Sequence, residues 1–370
     1  MAGMRQARIH RLLVAGPDDT APLLEAIATG QIDPAAIVGI VGKTEGNGCV
    51  NDFTRAFAVA ALKAALGRSL PAQAVDRITM VMSGGTEGAL SPHLLVFERI
   101  AAQMEAPAGP ALAIGAAHTR VMQPEEIGIP AQIRAVAEGV AAAMADAGID
   151  RVEDVHFVQI KCPLLTADRV AEATMRGART ATRDTLKSMG LSRAASALGV
   201  ALALGEIPAD RLVESAIGTD PGLWSGRAST SAGIELMNHE ILVLGMSAGW
   251  AGDLVIDHAV MADQIDIEPV RAGLKRLGFM ADGQIPAAER GRLVALLAKA
   301  EAGQSGRLRG ARHTMLDDSD ISATRHARAF VAGALAALVG HAEIFVSGGA
   351  EHQGPDGGGP VALIARRADP

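Results

Sequence analysis

One short pattern, Ser-(Gly/Ala)-Gly-x-Glu, occurs three times in this chain: Ser83-Gly84-Gly85-Thr86-Glu87, Ser231-Ala232-Gly233-Ile234-Glu235 and Ser347-Gly348-Gly349-Ala350-Glu351. The copies are spaced by 148 and 116 residues, which points to one folding unit used three times. A length of 370 residues leaves room for two or three domains.

The stretches between the copies have a common order. In the first, Ala7 to Ala15 reads as a strand, Pro22 to Thr29 as a helix, Ile37 to Gly42 as a strand, Phe53 to Leu66 as a helix, and Ile78 to Met82 as a strand running into the motif. Pro and Gly in residues 103–110 predict a linker. The second stretch has a strand at Ala111 to Ala117, a helix at Pro130 to Ala147, the strand VHFVQI up to Lys161, a helix beginning near Ser192, and EILVLGMS as a strand after the motif. The third begins near Asp253 with the strand LVIDHAVMA; Ile285 to Ala302 reads as a long helix and Thr324 to Gly340 as another, before AEIFVSGG repeats the strand-to-glycine turn. The expected units are residues 1–103, 111–248 and 253–370, in the α/β class.

Charged residues carry the correspondence further. A lysine and then an arginine precede each repeated serine: Lys43, Arg55 and Ser83; Lys161, Arg193 and Ser231; Lys299, Arg325 and Ser347. Three ordered sets suggest side chains converging on one central cavity. A serine hydroxyl becomes a useful nucleophile when a base takes its proton, and a lysine desolvated beside other cations can be neutral enough to do so. Small residues after the serine let backbone amides approach a developing oxyanion. The combination suits amide hydrolysis, although repetition alone does not say which serine attacks.

Other motifs point elsewhere less strongly. GKTEGNG lacks the P-loop pattern, so nucleotide binding is not expected. His93, His313, His326, His341 and His352 have no zinc-binding spacing, and Asp317, Asp318 and Asp320 read as a turn or helix cap. Cys49 and Cys162 are too few for a disulfide scaffold, Cys49 reads as a packed thiol, and a reducing cytoplasm is the expected compartment. A formal charge of -7 without a basic block argues against nucleic acid. The N-terminus is a poor signal peptide, and Phe330 to Val346, broken by His341 and Glu343, reads as a buried helix feeding a strand, not as a membrane span. Aromatics make up 2% of the chain and tyrosine is absent, so the core must be built from Val, Ile, Leu, Ala and Met.

The segments GKTEGNGCVNDFTR, VMSGGTEGALSPH, HFVQIKCPLLT, SMGLSRAASALG, STSAGIEL, RGARHTMLDDSDISATRHARA and VSGGAEHQGPDGGGP together resemble the cyanuric acid amidohydrolase and barbiturase family of ring-opening cyclic amidohydrolases. The resemblance runs over nearly the whole chain. It implies three related sheet-and-helix units around a pseudo-threefold axis, with the active site at their centre. By motif it makes Ser231 the nucleophile and Lys161 the general base. Substrate binding falls on Arg55, Ser83, Gly84, Arg193, Ser231, Ala232, Arg325, Ser347 and Gly348, with Lys43 and Lys299 completing an electropositive cavity.

The resemblance further implies a structural Mg2+ or Ca2+ held by Glu301 and the region of Ala350, Gln353, Gly354, Pro355 and Gly358, with no organic cofactor. It implies a homotetramer acting on a small cyclic imide, without nucleic acid or membrane partners. The expected reaction opens cyanuric acid to carboxybiuret, which loses carbon dioxide to form biuret. Barbituric acid is the alternative substrate, and noncatalytic binding of a cyclic imide is the alternative function.

Overall fold

The computed structural model describes residues 4–102, 109–280 and 282–368, so residues 103–108 of the expected linker lie outside the described residues. Among those described, the first segment contains β1 (Arg5–Leu13), α1 (Ala21–Ala28), β2 (Ile37–Thr44), α2 (Phe53–Leu66), α3 (Ala72–Val75), β3 (Thr79–Gly84) and β4 (His93–Ala101). The second contains β5 (Ala111–His118), α4 (Pro130–Ala147), β6 (Val155–Pro163), α5 (Ala167–Met175), α6 (Thr185–Ala203), β7 (Ala228–Gly233) and β8 (Glu240–Ser247), and the short strand β9 (Trp250–Ala251) follows it. The third contains β10 (Leu254–Met261), α7 (Glu268–Arg276), β11 (Leu293–Ala300), a small hairpin of β12 (Arg307–Leu308) and β13 (Ala311–Arg312), α8 (Ala323–Val339), β14 (Phe345–Gly348) and β15 (Gly359–Arg366).

Three sheets share one strand order: β3-β2-β4-β1, β7-β6-β8-β5 and β14-β11-β15-β10, the first extended by β9 alongside β1. In each, the first strand runs antiparallel to the last, the last antiparallel to the second, and the second parallel to the third. A parallel pair needs a crossover, which α2, α6 and α8 provide. Even an irregularity recurs: the second strand shifts register against the last at Ile37/Gly39, Val155/Phe157 and Leu293/Ala295. The fold is therefore mixed α/β with several sheets of matching topology.

Alternation along the strands explains how these sheets pack. Val41, Val81 and Phe97 of the first sheet, Ile114, Phe157 and Val243 of the second, and Leu297, Phe345 and Ile364 of the third all belong to one continuous apolar core. Their neighbours point the other way, under helices: Ile40 and Met80 pack with Leu62 of α2, while Leu296 and Leu363 pack with Val331 of α8. Burial of both faces gives these strands nearly unbroken apolar runs.

This also corrects the helix expected over Ile285 to Ala302. LVALLAKA is rich in helix formers, but it lies between β15 and β14 with only Val294 less than fully buried. An apolar run of this length does not by itself distinguish a buried strand from a helix, and sheet packing overrides propensity here. The helix expected to begin near Ser192 begins at Thr185 instead, where Asp184 accepts a hydrogen bond from Lys187 N at 2.8 Å as its N-cap. No described helix is long and apolar enough to cross a membrane.

Candidate active site

The three expected lysines and serines stand side by side on the parallel strand pairs. Lys43 on β2 is in register with Ser83 on β3, Lys161 on β6 with Ser231 on β7, and Lys299 on β11 with Ser347 on β14. Unequal insertions in the sequence therefore leave the strand geometry unchanged. All six side chains are buried.

Each lysine also reaches a different sheet. Lys43 Nζ donates to Val346 O at 2.8 Å, Lys299 Nζ to Thr230 O at 2.9 Å, and Lys161 Nζ to Met82 O at 3.0 Å. In every case the acceptor is the carbonyl just before a motif serine. The three lysines thus link first to third, third to second and second to first, and bring the motif ends of the sheets together. Ser231 Oγ lies 3.2 Å from Ser347 Oγ across one of these junctions.

The three lysines are not equivalent. Lys43 Nζ donates to Ser83 Oγ at 3.4 Å and Lys299 Nζ to Ser347 Oγ at 3.2 Å. Lys161 Nζ instead pairs with Glu235 Oε1 at 2.6 Å and donates to Met82 O, not to Ser231. Burial pushes all three amines below the ordinary lysine value. Lys299 is lowered to about 7 by burial and by Arg193, whereas Glu235 partly opposes the shift at Lys161.

Arginines close the circle in the opposite direction. Arg55 on α2 donates to Ala232 O at 2.9 Å in the second copy of the motif. Arg193 on α6 grips Glu351 in the third copy, Nε to Oε2 at 2.8 Å and Nη2 to Oε1 at 2.6 Å. Glu87 in the first copy is gripped by Arg328 on α8, which is buried, while Arg325 approaches the same carboxylate at 3.4 Å with its side chain 42% exposed. The sequence had indicated Arg325 but not Arg328, nor any role for the motif glutamates. The sign of those glutamates was their place at the end of every copy.

The glycines of the motif make room for these contacts. Gly85 and Gly349 adopt φ of 99° and 74°, and a Cβ on either would strike the guanidinium of Arg328 or Arg193. A side chain at Gly84 would collide with the Asp52 carboxylate, and one at Gly348 with Thr324. A cavity of about 600 Å³ opens beside this cluster, lined by Cys49, Lys187, Arg193, Arg325, Gly348 and Glu351 among others.

The residues expected to hold a hard cation lie nearby. Glu301, Ala350, Gly354 and Pro355 line a separate cavity of about 260 Å³ together with Glu351; Gln353 and Gly358 belong to the same loop but not to that lining. Burial and then the neighbouring Glu351 carboxylate push Glu301 above the usual carboxyl range. Two neighbouring, partly buried carboxyl groups beside a loop that can offer main-chain oxygens fit Mg2+ or Ca2+ chemistry. The Gln353 side chain is already committed, its carbonyl to Thr230 N at 2.7 Å and its amide to Gly349 O at 3.1 Å, so its ligand atom would be the main-chain oxygen.

The amidohydrolase ring-opening protein family matches residues 8–366. The chain belongs to this family. It is 63% identical to a cyanuric acid amidohydrolase of Bradyrhizobium sp. (strain ORS 375), covering 98% of this chain and 99% of that protein. It is likewise 63% identical to a cyanuric acid amidohydrolase of Azorhizobium caulinodans, covering 98% of each. Among solved structures, the cyanuric acid hydrolase from A. caulinodans superposes with a TM-score of 0.92 at 62% identity, over 99% of this chain and 100% of that one. A second cyanuric acid hydrolase, described as an evolutionary innovation by structural concatenation, gives a TM-score of 0.94 at 51% identity, over 98% and 100%. Apart from the first three residues of β1, all three sheets of this ring-opening amidohydrolase lie inside the family match.

Proposed function

We propose that the protein hydrolyses the ring of cyanuric acid, binding it where three units, residues 1–103, 111–248 and 253–370, meet about a pseudo-threefold axis. The observation that carries this reading is the threefold Lys-Ser register joined by lysine contacts from sheet to sheet. A ring of three alternating carbonyl and N-H groups presents the same chemistry to three such sets. The names of relatives at 63% identity over nearly the full chain support the same substrate.

In the proposed mechanism, Ser231 Oγ attacks a ring carbonyl carbon as its proton passes to Lys161 Nζ. Burial favours the neutral amine needed to accept that proton, and Glu235 stabilises the ammonium that forms. Main-chain amides after the serines and the guanidiniums of Arg55, Arg193 and Arg325 stabilise the oxyanion and hold the remaining carbonyls. Lys43 and Lys299 supply further positive potential. The ring C–N bond breaks as its nitrogen takes the proton, leaving an ester on Ser231. Water hydrolyses that ester to carboxybiuret, which loses carbon dioxide to give biuret.

Glu301 and main-chain oxygens of Ala350, Gln353, Gly354, Pro355 and Gly358 would hold a Mg2+ or Ca2+ ion. Such an ion would neutralise the paired carboxylates and order the loop after Ser347. A cytoplasmic homotetramer completes the proposal.

Ser231→Ala should remain folded and lose nearly all turnover of cyanuric acid, followed as biuret formation. A second reading has its own support: Ser347 hydrogen-bonds Lys299, whose amine is lowered to about 7. Retained turnover in Ser231→Ala with loss in Ser347→Ala would move the nucleophile there. Faster opening of barbituric acid by the unaltered protein would reverse the choice of substrate.

A further inference from the structure

We propose that His156, Asp257 and His258 form a site for a divalent transition metal, of the class of Zn2+, Co2+ or Ni2+, that ties the second sheet to the third. His156 is on β6, whereas Asp257 and His258 are adjacent on β10, so the cluster bridges two sheets far from any spacing motif in the sequence. His258 Nδ1 and His156 Nδ1 are 3.0 Å apart, and His156 Nδ1 is 3.8 Å from Asp257 Oδ1. One ligand atom from each of the three residues lies within 4.8 Å of the others. Tetrahedral ligands at metal bonds of about 2.0–2.1 Å sit roughly 3.3 Å from one another, so small side-chain movements would bring these atoms around one ion.

The surroundings suit such an ion. Asp257 Oδ2 accepts from Arg276 Nε at 2.6 Å, which fixes the carboxylate with Oδ1 toward His156. Imidazole nitrogens prefer Zn2+, Co2+ or Ni2+ over Mg2+, in contrast to the oxygen-lined Glu301 cavity. The side chains of His156 and Asp257 retain 18% and 14% exposure, enough for an ion to enter and for water to complete its coordination. The positively charged guanidiniums of Arg227 and Arg276 nearby oppose a cation, which predicts moderate affinity.

The competing arrangement is an imidazole N–H···N hydrogen bond within the T-shaped pair, whose ring planes stand 76° apart. Full-length protein, stripped with a chelator and restored with Mg2+, can be titrated with Co2+ and with Zn2+. The proposal expects one equivalent of Co2+ to develop visible absorption, one equivalent of Zn2+ to raise the melting temperature, and both effects to weaken at least tenfold in His156→Gln and His258→Gln. Absence of these effects, or their persistence unchanged in the variants, overturns it. Zinc-edge anomalous scattering from soaked crystals of the unaltered protein gives a reading independent of how the variants fold: a peak between the two Nδ1 atoms supports the site, and none there rejects it.

Discussion

The Asp52 carboxylate shows how closely the first motif copy is tied to its surroundings. It accepts from Thr54 N at 3.0 Å to cap α2 and from Gly48 N at 2.9 Å, and it lies 3.7 Å from Arg55 Nε. Gly84 is packed against it with no space for Cβ. Gly84→Ala should therefore displace the cap and the Arg55 beside it, costing about 1–3 kcal/mol in urea denaturation and reducing kcat/KM; unchanged values of both would refute this packing argument. At this scale the sequence was informative about lysines and serines, because repetition marks them. It was silent about the partners, since the reach of Arg328 to Glu87 or Arg193 to Glu351 depends on which segments adjoin. No local pattern encodes that choice.

Elements were legible where the apolar pattern and the terminators agreed. The helix read at Pro130 to Ala147 has proline in its first turn and Gly148 in left-handed conformation at its end, two signals that act through backbone geometry alone. For β11 the composition favoured a helix and tertiary burial decided otherwise. Contacts between elements add a pH dependence that no window of sequence contains. Glu240 opens β8 and accepts from Met80 N on β3 at 2.6 Å, joining the second sheet to the first, and burial pushes its carboxyl up to about 7. A raised carboxyl pKa means that the folded state binds the proton more tightly, so this contribution is full below about pH 4.5 and is lost as pH rises toward 7. The shift corresponds to roughly 3 kcal/mol. Glu240→Gln should flatten the fall in stability between pH 5 and pH 8; an equally steep fall in the variant would assign it to other groups.

At the scale of the whole molecule, the sheets are held by a shared apolar core and by two opposed circuits of cations at its polar end. Within this arrangement two arginines one turn apart on α8 have different work. Both line the larger cavity, but Arg328 is buried against Glu87 and joins the third segment to the first, whereas Arg325 is partly exposed. Removing one partner from a buried ion pair strands the other charge and costs about 3–5 kcal/mol, while truncating an exposed side chain usually changes stability by about 0.5 kcal/mol or less. Arg328→Ala should consequently lower stability by several kcal/mol, and Glu87→Gln in the same background should add less than it does alone. Arg325→Ala should keep the melting temperature nearly unchanged yet lower kcat/KM for cyanuric acid at least tenfold. Chemical denaturation and steady-state kinetics on the same preparations separate these roles. A stable but slow Arg328→Ala beside an unstable Arg325→Ala would exchange them, making Arg328 the group that faces substrate and Arg325 the one that binds the segments together.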